Sequence, residues 1–241
     1  MALQLEQVTK SFPAQTSSRC VLDRFDLRVG DGEFIAVLGK SGCGKSTLLR
    51  IAGGFEKPDS GSVLLGGVPV TEPSQKMVML FQDFNQLFPW LTLLQNLLFA
   101  IRKTLPAMKS EQARKLAHTC LEQVGLAEFA DSYPYQLSGG MKQRGALARA
   151  LALRPEVLLM DEPFSSLDYL TRRNAQDLLK QLWNQGGLTV LFITHDISEA
   201  LLLAQKIAVF DSSSRRIGHL FLNDGTIPDL KDRLEHLLQT E

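Results

Sequence analysis

The chain has no long hydrophobic run, no surplus charge of either sign and very little cysteine. Over 241 residues Lys+Arg and Asp+Glu balance at 26 each, so no global field draws the protein onto nucleic acid or an anionic lipid surface. A nucleic-acid partner is not expected. The three cysteines, Cys20, Cys43 and Cys120, are an odd number without CxxC spacing, which argues against a disulfide framework or a zinc site and suits a reducing cytosol. The most apolar segment, residues 87–101, is interrupted by Pro89, Thr92, Gln95 and Asn96 and falls short of the ~20 residues a membrane-spanning helix needs. It is expected to touch a membrane protein at most. The first residues show no basic region followed by an apolar stretch, so no secretory signal is expected and the protein should stay on the side where it is made. The length suits one α/β core with an inserted subdomain and leaves no room for two large domains.

What is present centres on Gly39-Lys40-Ser41-Gly42-Cys43-Gly44-Lys45-Ser46-Thr47, which fits GxxxxGK[ST] at every fixed position. The almost wholly apolar run Glu33-Phe34-Ile35-Ala36-Val37-Leu38 before it reads as a strand buried on both faces, and residues 47–52 after it read as a helix start. Backbone N–H groups of the glycine turn and the positive end of the helix would hold a polyphosphate. In that setting Lys45 is a point charge for the β- and γ-phosphates and Ser46 a Mg²⁺ ligand. The loop alone does not separate kinases, GTPases, transport ATPases and repair ATPases.

Residues 3–8 and 25–29 alternate apolar and polar, which predicts an antiparallel β portion ahead of the loop. Phe12 falls in the gap between them and offers either an adenine stack or a packing contact against the sheet. Short β segments are expected at 63–65 and 68–70, and a buried strand at 77–81 ends at Gln82, at the ligand side of an open α/β sheet. From about 83 to 153 helical spacing takes over. Ala113, Leu116, Ala117, Cys120, Leu121 and Val124 form one stripe, with Ser110 as its expected N-cap and Gly125 as its stop. Strands return at 157–160, 188–193 and 206–210, with helices at 170–183 and 197–204 between them, which implies a mainly parallel sheet with helices on both faces. A last helix carries Leu230, Leu234, Leu237 and Leu238 on one side.

Asp161 and Glu162 directly follow the apolar strand 157–160. Asp161 stands where an acidic partner for the nucleotide's Mg²⁺ is expected, and Glu162 where a carboxylate can take a proton from the attacking water. His195 ends the run Leu191-Phe192-Ile193 at the same side of the sheet. Ser138-Gly139-Gly140, followed by good helix formers, makes a second helix start stripped of side chains and so a second anion site. The loop at 39–46 already surrounds one nucleotide, so the economical use of the second site is the nucleotide of another copy of the chain.

The phosphate loop, Gln82, Leu137-Ser138-Gly139-Gly140-Met141-Lys142-Gln143-Arg144, Asp161-Glu162, Ser166-Leu167-Asp168 and Thr194-His195-Asp196 together resemble the ATP-binding cassette of ABC transporters over nearly the whole chain. The resemblance implies an α/β P-loop NTPase fold of RecA-like kind, with a mainly parallel sheet, an antiparallel β portion and an inserted α-helical subdomain. It divides a single cassette of residues 1–241 into a nucleotide-binding core at 1–82 and 154–225, a helical subdomain at 83–153 and a C-terminal helix at 226–241. It implies head-to-tail pairing with a second cassette, each ATP lying between the phosphate loop of one and Ser138, Gly139 and Gly140 of the other. By the same carry-over Phe12 stacks on adenine, Gln82 contacts Mg²⁺ or water, Asp168 links the two sites, and His195 contacts the γ-phosphate. Met141 departs from the commoner Gln of that signature.

Phe81-Gln82-Asp83-Phe84, Leu87-Phe88-Pro89-Trp90-Leu91-Thr92 and Tyr133-Pro134-Tyr135 are similar to importer cassettes for nitrate, sulfonate, taurine and bicarbonate. Leu87, Phe88, Trp90 and Leu91 are either a docking surface for an integral membrane permease or the cover of the subdomain's own core. The resemblance implies ATP hydrolysis at the cytoplasmic face of the membrane, uptake of a small anionic or sulfonate-like solute, and a separate extracytoplasmic solute-binding protein. A nucleotide kinase would have no use for residues 137–144. A non-transport ABC ATPase of the repair or translation kind is the other reading.

Overall fold

The structure is a computed structural model describing residues 3–13, 18–82, 86–165 and 167–240. Ser166, and Asp83 and Phe84 of the segment expected to dock a membrane protein, lie outside the described residues. The central sheet has six strands in the order β10-β9-β3-β8-β7-β6. These are β3 (Phe34–Leu38), β6 (Met77–Leu80), β7 (Val157–Asp161), β8 (Thr189–Thr194), β9 (Lys206–Asp211) and β10 (Arg216–Leu222). All pairings are parallel except β10 on β9. Every residue of β3 and β8 is buried, and alternation divides them between two cores. Ile35, Val37, Leu191 and Ile193 face one, and Phe34, Ala36, Val190 and Phe192 face the other.

The first face is covered by α1 (Lys45–Ala52) together with a four-stranded antiparallel sheet, β2-β1-β4-β5. Its strands are β1 (Leu3–Pro13), β2 (Ser18–Val29), β4 (Ser60–Leu65) and β5 (Val68–Pro69). The opposite face carries α4 (Gly139–Leu151), α5 (Tyr169–Asn184), α6 (Ile197–Leu203) and α7 (Leu230–Thr240). Helices therefore lie on both faces, as expected, but on one of them α1 shares the cover with a second sheet.

A third core, built from Leu93, Leu97, Ala117, Leu121 and Ala148 among others, unites α2 (Leu93–Thr104), α3 (Ser110–Gln123) and α4. α4 belongs to two cores, since Ala146, Leu147 and Ala150 pack with the central sheet while Ala148 and Ala152 face α2 and α3. Thr92 starts α2 with a reciprocal cap, its hydroxyl accepting from Gln95 N at 3.3 Å and Gln95 Oε1 accepting from Thr92 N at 2.9 Å. Such a cap satisfies two N–H groups that the helix leaves unpaired. Leu87 is buried in the third core, whereas Trp90 is 69% exposed, so the apolar segment both covers the subdomain and offers a surface.

Two expectations are corrected. Phe12 is not in a gap between strands but inside β1, paired with Arg19 of β2. Ladder hydrogen bonds extend the hairpin through a stretch too exposed to show alternation. Ser110 is the first helical residue of α3 and not its cap; Lys109 holds that position and no side chain caps the helix.

Candidate active site

The phosphate loop turns between the end of β3 and α1. Gly44 precedes the helix at φ 120°, and a Cβ there would stand 2.5 Å from Val21 Cγ1, so both conformation and space require glycine. Lys45, only 4% exposed, donates to the carbonyls of Gly39 at 2.6 Å and Lys40 at 2.7 Å, with Cys43 Sγ 3.9 Å away. The loop is thereby closed on its own lysine, whose ammonium is fixed at the mouth of the turn.

Asp161 ends β7 and is 6% exposed. Burial pushes its carboxyl above the usual range, and the Ser46 hydroxyl, donating to Oδ1 at 3.1 Å, partly opposes that. Among the described residues no group of three or more His, Cys, Asp or Glu could hold a metal. A hydroxyl beside a buried, under-compensated carboxylate is nevertheless a hard-oxygen pair of the kind Mg²⁺ uses when substrate phosphates and water complete its shell. The two side chains fit that ion.

Glu162 adopts the left-handed conformation, φ 43°, which costs a non-glycine residue about 1–3 kcal/mol. Its N–H donates to Ile193 O at 3.0 Å, and its carbonyl accepts from Ser165 Oγ at 3.0 Å. The turn aims the carboxylate between an imidazole and an ammonium, with Oε2 2.9 Å from His195 Nδ1 and Oε1 4.0 Å from Lys45 Nζ. A cavity of about 620 Å³ opens above them. Phe12, Ser41, Gly42 and Gly44 line it together with Lys45, Ser46, Thr47, Gln82 and Glu162. It holds a carboxylate next to a fixed ammonium at the glycine turn before α1, an arrangement able to bind a polyphosphate and activate water beside it.

Ser138, Gly139, Gly140 and Asp168 do not line this cavity. The starts of α4 and α5 meet instead, at Gly140 and Thr171. Ser138 caps α4, its Oγ accepting from Met141 N at 3.3 Å, and Asp168 caps α5, accepting from Thr171 N at 3.1 Å. Hydrogen bonds from the Thr171 side chain and then from its backbone N–H hold the Asp168 carboxyl below the usual range. A Cβ on Gly140 would lie 2.1 Å from Thr171 Cγ2, whereas one on Gly139 would meet nothing within 4 Å. Gly140 thus lets α4 and α5 approach, and Gly139 leaves the helix start open.

Several residues around the site carry little signal in the sequence. Glu199, 5% exposed, accepts from Thr194 Oγ at 2.7 Å and from Gln176 Nε2 at 3.2 Å, tying α6, α5 and the strand end before His195 together. Burial raises its carboxyl above the usual range, against the pull of the Thr194 hydroxyl. Arg172 donates to Leu167 O at 3.1 Å and lies 3.6 Å from Asp196 Oδ2, so the turn before α5 is joined to the residue after His195. Arg149 of α4 donates to Gln86 O at 2.6 Å with its guanidinium 5.7 Å from the Phe88 ring. It links the signature helix to the segment following Gln82. A Glu three residues past an N-capping Asp was the one available hint, and capping is the commoner reason for that spacing.

Residues 22–165 match the family described as ABC transporter. The chain belongs to that family. It is an ABC ATPase. Over 233 residues it is 43% identical to the bicarbonate transport ATP-binding protein CmpD of Synechocystis sp., covering 96% of this chain and 82% of that one. Over 216 residues it is 47% identical to the taurine import ATP-binding protein TauB of Chromobacterium violaceum, covering 90% and 81%. The dimeric post-hydrolysis structure of the ATP-binding cassette MJ0796 bound to ADP and Pi superposes with a TM-score of 0.81 at 34% identity, over 92% of this chain and 99% of that one. The ABC ATPase has the α/β architecture of those cassettes, and among its described residues no helix is long and apolar enough to cross a membrane.

Proposed function

We propose that this ABC ATPase is the ATP-hydrolysing subunit of an importer for a small anionic or sulfonate-like solute, acting as a pair of cassettes on a membrane permease. The observation that carries the chemistry is Glu162, held in a strained turn with its carboxylate at the rim of the cavity, 2.9 Å from His195 and 4.0 Å from Lys45. The triphosphate lies on the N–H groups of residues 39–46 with Lys45 against its outer phosphates, and Phe12 stacks on the adenine. Ser46 and Asp161, with Gln82 beside them, hold Mg²⁺, which when bound offsets charge on the phosphate oxygens. Glu162 takes the proton of a water whose oxygen bonds to the γ-phosphorus as the bond to the β,γ-bridging oxygen breaks. His195 orients Glu162 and contacts the γ-phosphate.

Ser138, Gly139 and Gly140 are the half of the site offered to the partner's nucleotide, and Asp168 sits beside them at the same junction. The dimeric MJ0796 cassettes and the open space at Gly139 support that reading. Closure around two ATP molecules, followed by loss of the γ-phosphate contacts, supplies the stroke. The permease docks along residues 82–92, where exposed Trp90 and Phe99 adjoin a groove of about 680 Å³ lined by Leu91, Leu98, Arg102 and Arg114. On this reading the subunit works at the cytoplasmic face of the membrane. A solute-binding protein completes the complex on the other side. The names of relatives that import bicarbonate, nitrate and taurine favour uptake over the repair or translation reading.

The test is Glu162→Gln, which keeps size and removes the base. Turnover should fall by about 100-fold or more while ATP binding persists, and an ATP-dependent dimer should emerge on size-exclusion chromatography. Near-normal phosphate release by the variant would overturn the assignment of Glu162.

A further inference from the structure

On the other side of the phosphate loop lies a second, smaller cleft of about 290 Å³. Arg19, Lys40 and Arg215 line it, with Ser212, Cys20 and Cys43. Among the described residues no carboxylate lines it, and the stretch 14–17 between β1 and β2 is uncharged in sequence. Among the described residues the guanidinium of Arg19 reaches only the Gly42 carbonyl, at 3.5 Å. Arg215 is half-buried, and among the described residues its side chain has no acceptor. Its backbone, at φ 60°, is pinned by Arg215 N donating to Asp211 O at 2.7 Å and by Arg215 O accepting from Asp23 N at 3.2 Å. The neighbouring carboxylates are committed elsewhere. Asp211 is saturated by the hydroxyls of Ser213 and Ser214, both at 2.6 Å, and Asp23 pairs with Arg216 at 2.8 Å. The Ser212 Oγ atom is buried and, among the described residues, has no hydrogen-bond partner. A buried hydroxyl without a partner and a half-buried guanidinium without an anion are each costly, and one oxyanion would satisfy both.

We propose that this cleft binds a small oxyanion of the phosphate or sulfate type, held by Arg215, Arg19, Lys40 and the Ser212 hydroxyl, and that its occupancy weakens nucleotide binding. The cleft and the nucleotide cavity share Arg19, Val21, Ser41 and Gly42 as walls. An anion in the cleft neutralises Arg19, which lines both cavities and otherwise favours the polyphosphate, and linkage makes the antagonism reciprocal. The nucleotide end of that linkage rests on the function proposed above.

The experiment titrates a fluorescent ATP analogue onto the purified chain at rising sulfate, with chloride holding ionic strength constant. Direct competition at the phosphate loop raises the apparent Kd equally in wild type and in Arg215→Gln. The cleft predicts a sulfate dependence about fivefold steeper in wild type than in Arg215→Gln, with Ser212→Ala between them and the exposed helical variant Lys231→Gln like wild type. Without sulfate, Arg215→Gln should bind the analogue as wild type does, which shows that it is folded. Crystals grown with selenate should show an anomalous peak against Arg215 and Ser212. Replacing sulfate by phosphate or glycerol phosphate separates a free anion from the end of a larger ligand: equal effects indicate the former, a stronger effect of glycerol phosphate the latter. Identical sulfate dependence in wild type and Arg215→Gln, or selenate only at the phosphate loop, would overturn the proposal. Failure of the analogue to bind at all would instead strike the nucleotide site.

Discussion

The N-termini of α1 and α4 are both led by glycine and both lack an acidic residue in the first turn, yet their surroundings differ. The start of α1 is enclosed by its own chain: Lys45 is fixed on the Gly39 and Lys40 carbonyls, and Glu162 and Gln82 line the same cavity. The start of α4 has only Ser138 folded back onto Met141 N, with open space at Gly139. A helix start closed by its own chain can hold an anion unaided, whereas one left bare is suited to a ligand that a second molecule brings. Breaking either start should therefore have different consequences for binding and for turnover.

The sharpest way to break the comparison is Ser138→Arg, which puts bulk at the bare start. Turnover should drop about 100-fold, as when a transition-state donor is lost, while a single protomer binds nucleotide as before. Phosphate release measured beside fluorescent-nucleotide titration separates the two, and unimpaired release would mean that α4 takes no part. At the enclosed start, Phe12→Ala should weaken nucleotide affinity about fivefold, the size of one aromatic stacking contact. An unchanged Kd would return Phe12 to a packing role.

The two glycines of α4 sharpen the contrast by stability. Gly140→Ala drives a Cβ against Thr171 and should cost about 1–3 kcal/mol in a thermal or urea melt, whereas Gly139→Ala should leave the melt within about 0.5 kcal/mol. Equal melts would mean that α4 and α5 yield at that contact.

The smallest effect concerns Asp161, whose carboxyl burial raises. A raised carboxylate penalises the folded state where it is ionised, so that penalty is complete above the folded pKa and disappears below the ordinary value of 3.8. Asp161→Asn should then melt slightly higher than wild type at neutral pH without Mg²⁺, and the gap should close as pH falls through that window. The same variant should lose the Mg²⁺ dependence of nucleotide binding. A lower melting point at neutral pH would contradict the burial penalty.

How much of this was legible depended on whether a residue's neighbours in space are its neighbours in sequence. β3, β7 and β8 are buried on both faces and read as uninterrupted apolar runs, and the loop and the Asp161-Glu162 pair follow such runs directly. β10 carries no signal in the sequence because Leu220 and Leu222 are exposed and no alternation marks it, its place being set by pairing with β9. Phe12 lies inside β1 for a similar reason, since backbone ladders continue where side-chain patterning stops. The link from Glu199 through Thr194 to Gln176, and the reach of Arg149 over Phe88, join elements distant in sequence.

Residue order alone determined the phosphate loop, the Asp161-Glu162 pair behind an apolar strand and the family, because each depends on a few residue types at short, fixed spacing where local backbone geometry sets the chemistry. Only the tertiary structure decided that Gly140 serves packing while Gly139 faces open space, that Glu162 is aimed by a left-handed turn onto His195, and that Arg215 and Ser212 share a cleft behind the loop. Those facts follow from how sheets and helices from distant parts of the chain come to rest against one another, which no local pattern encodes.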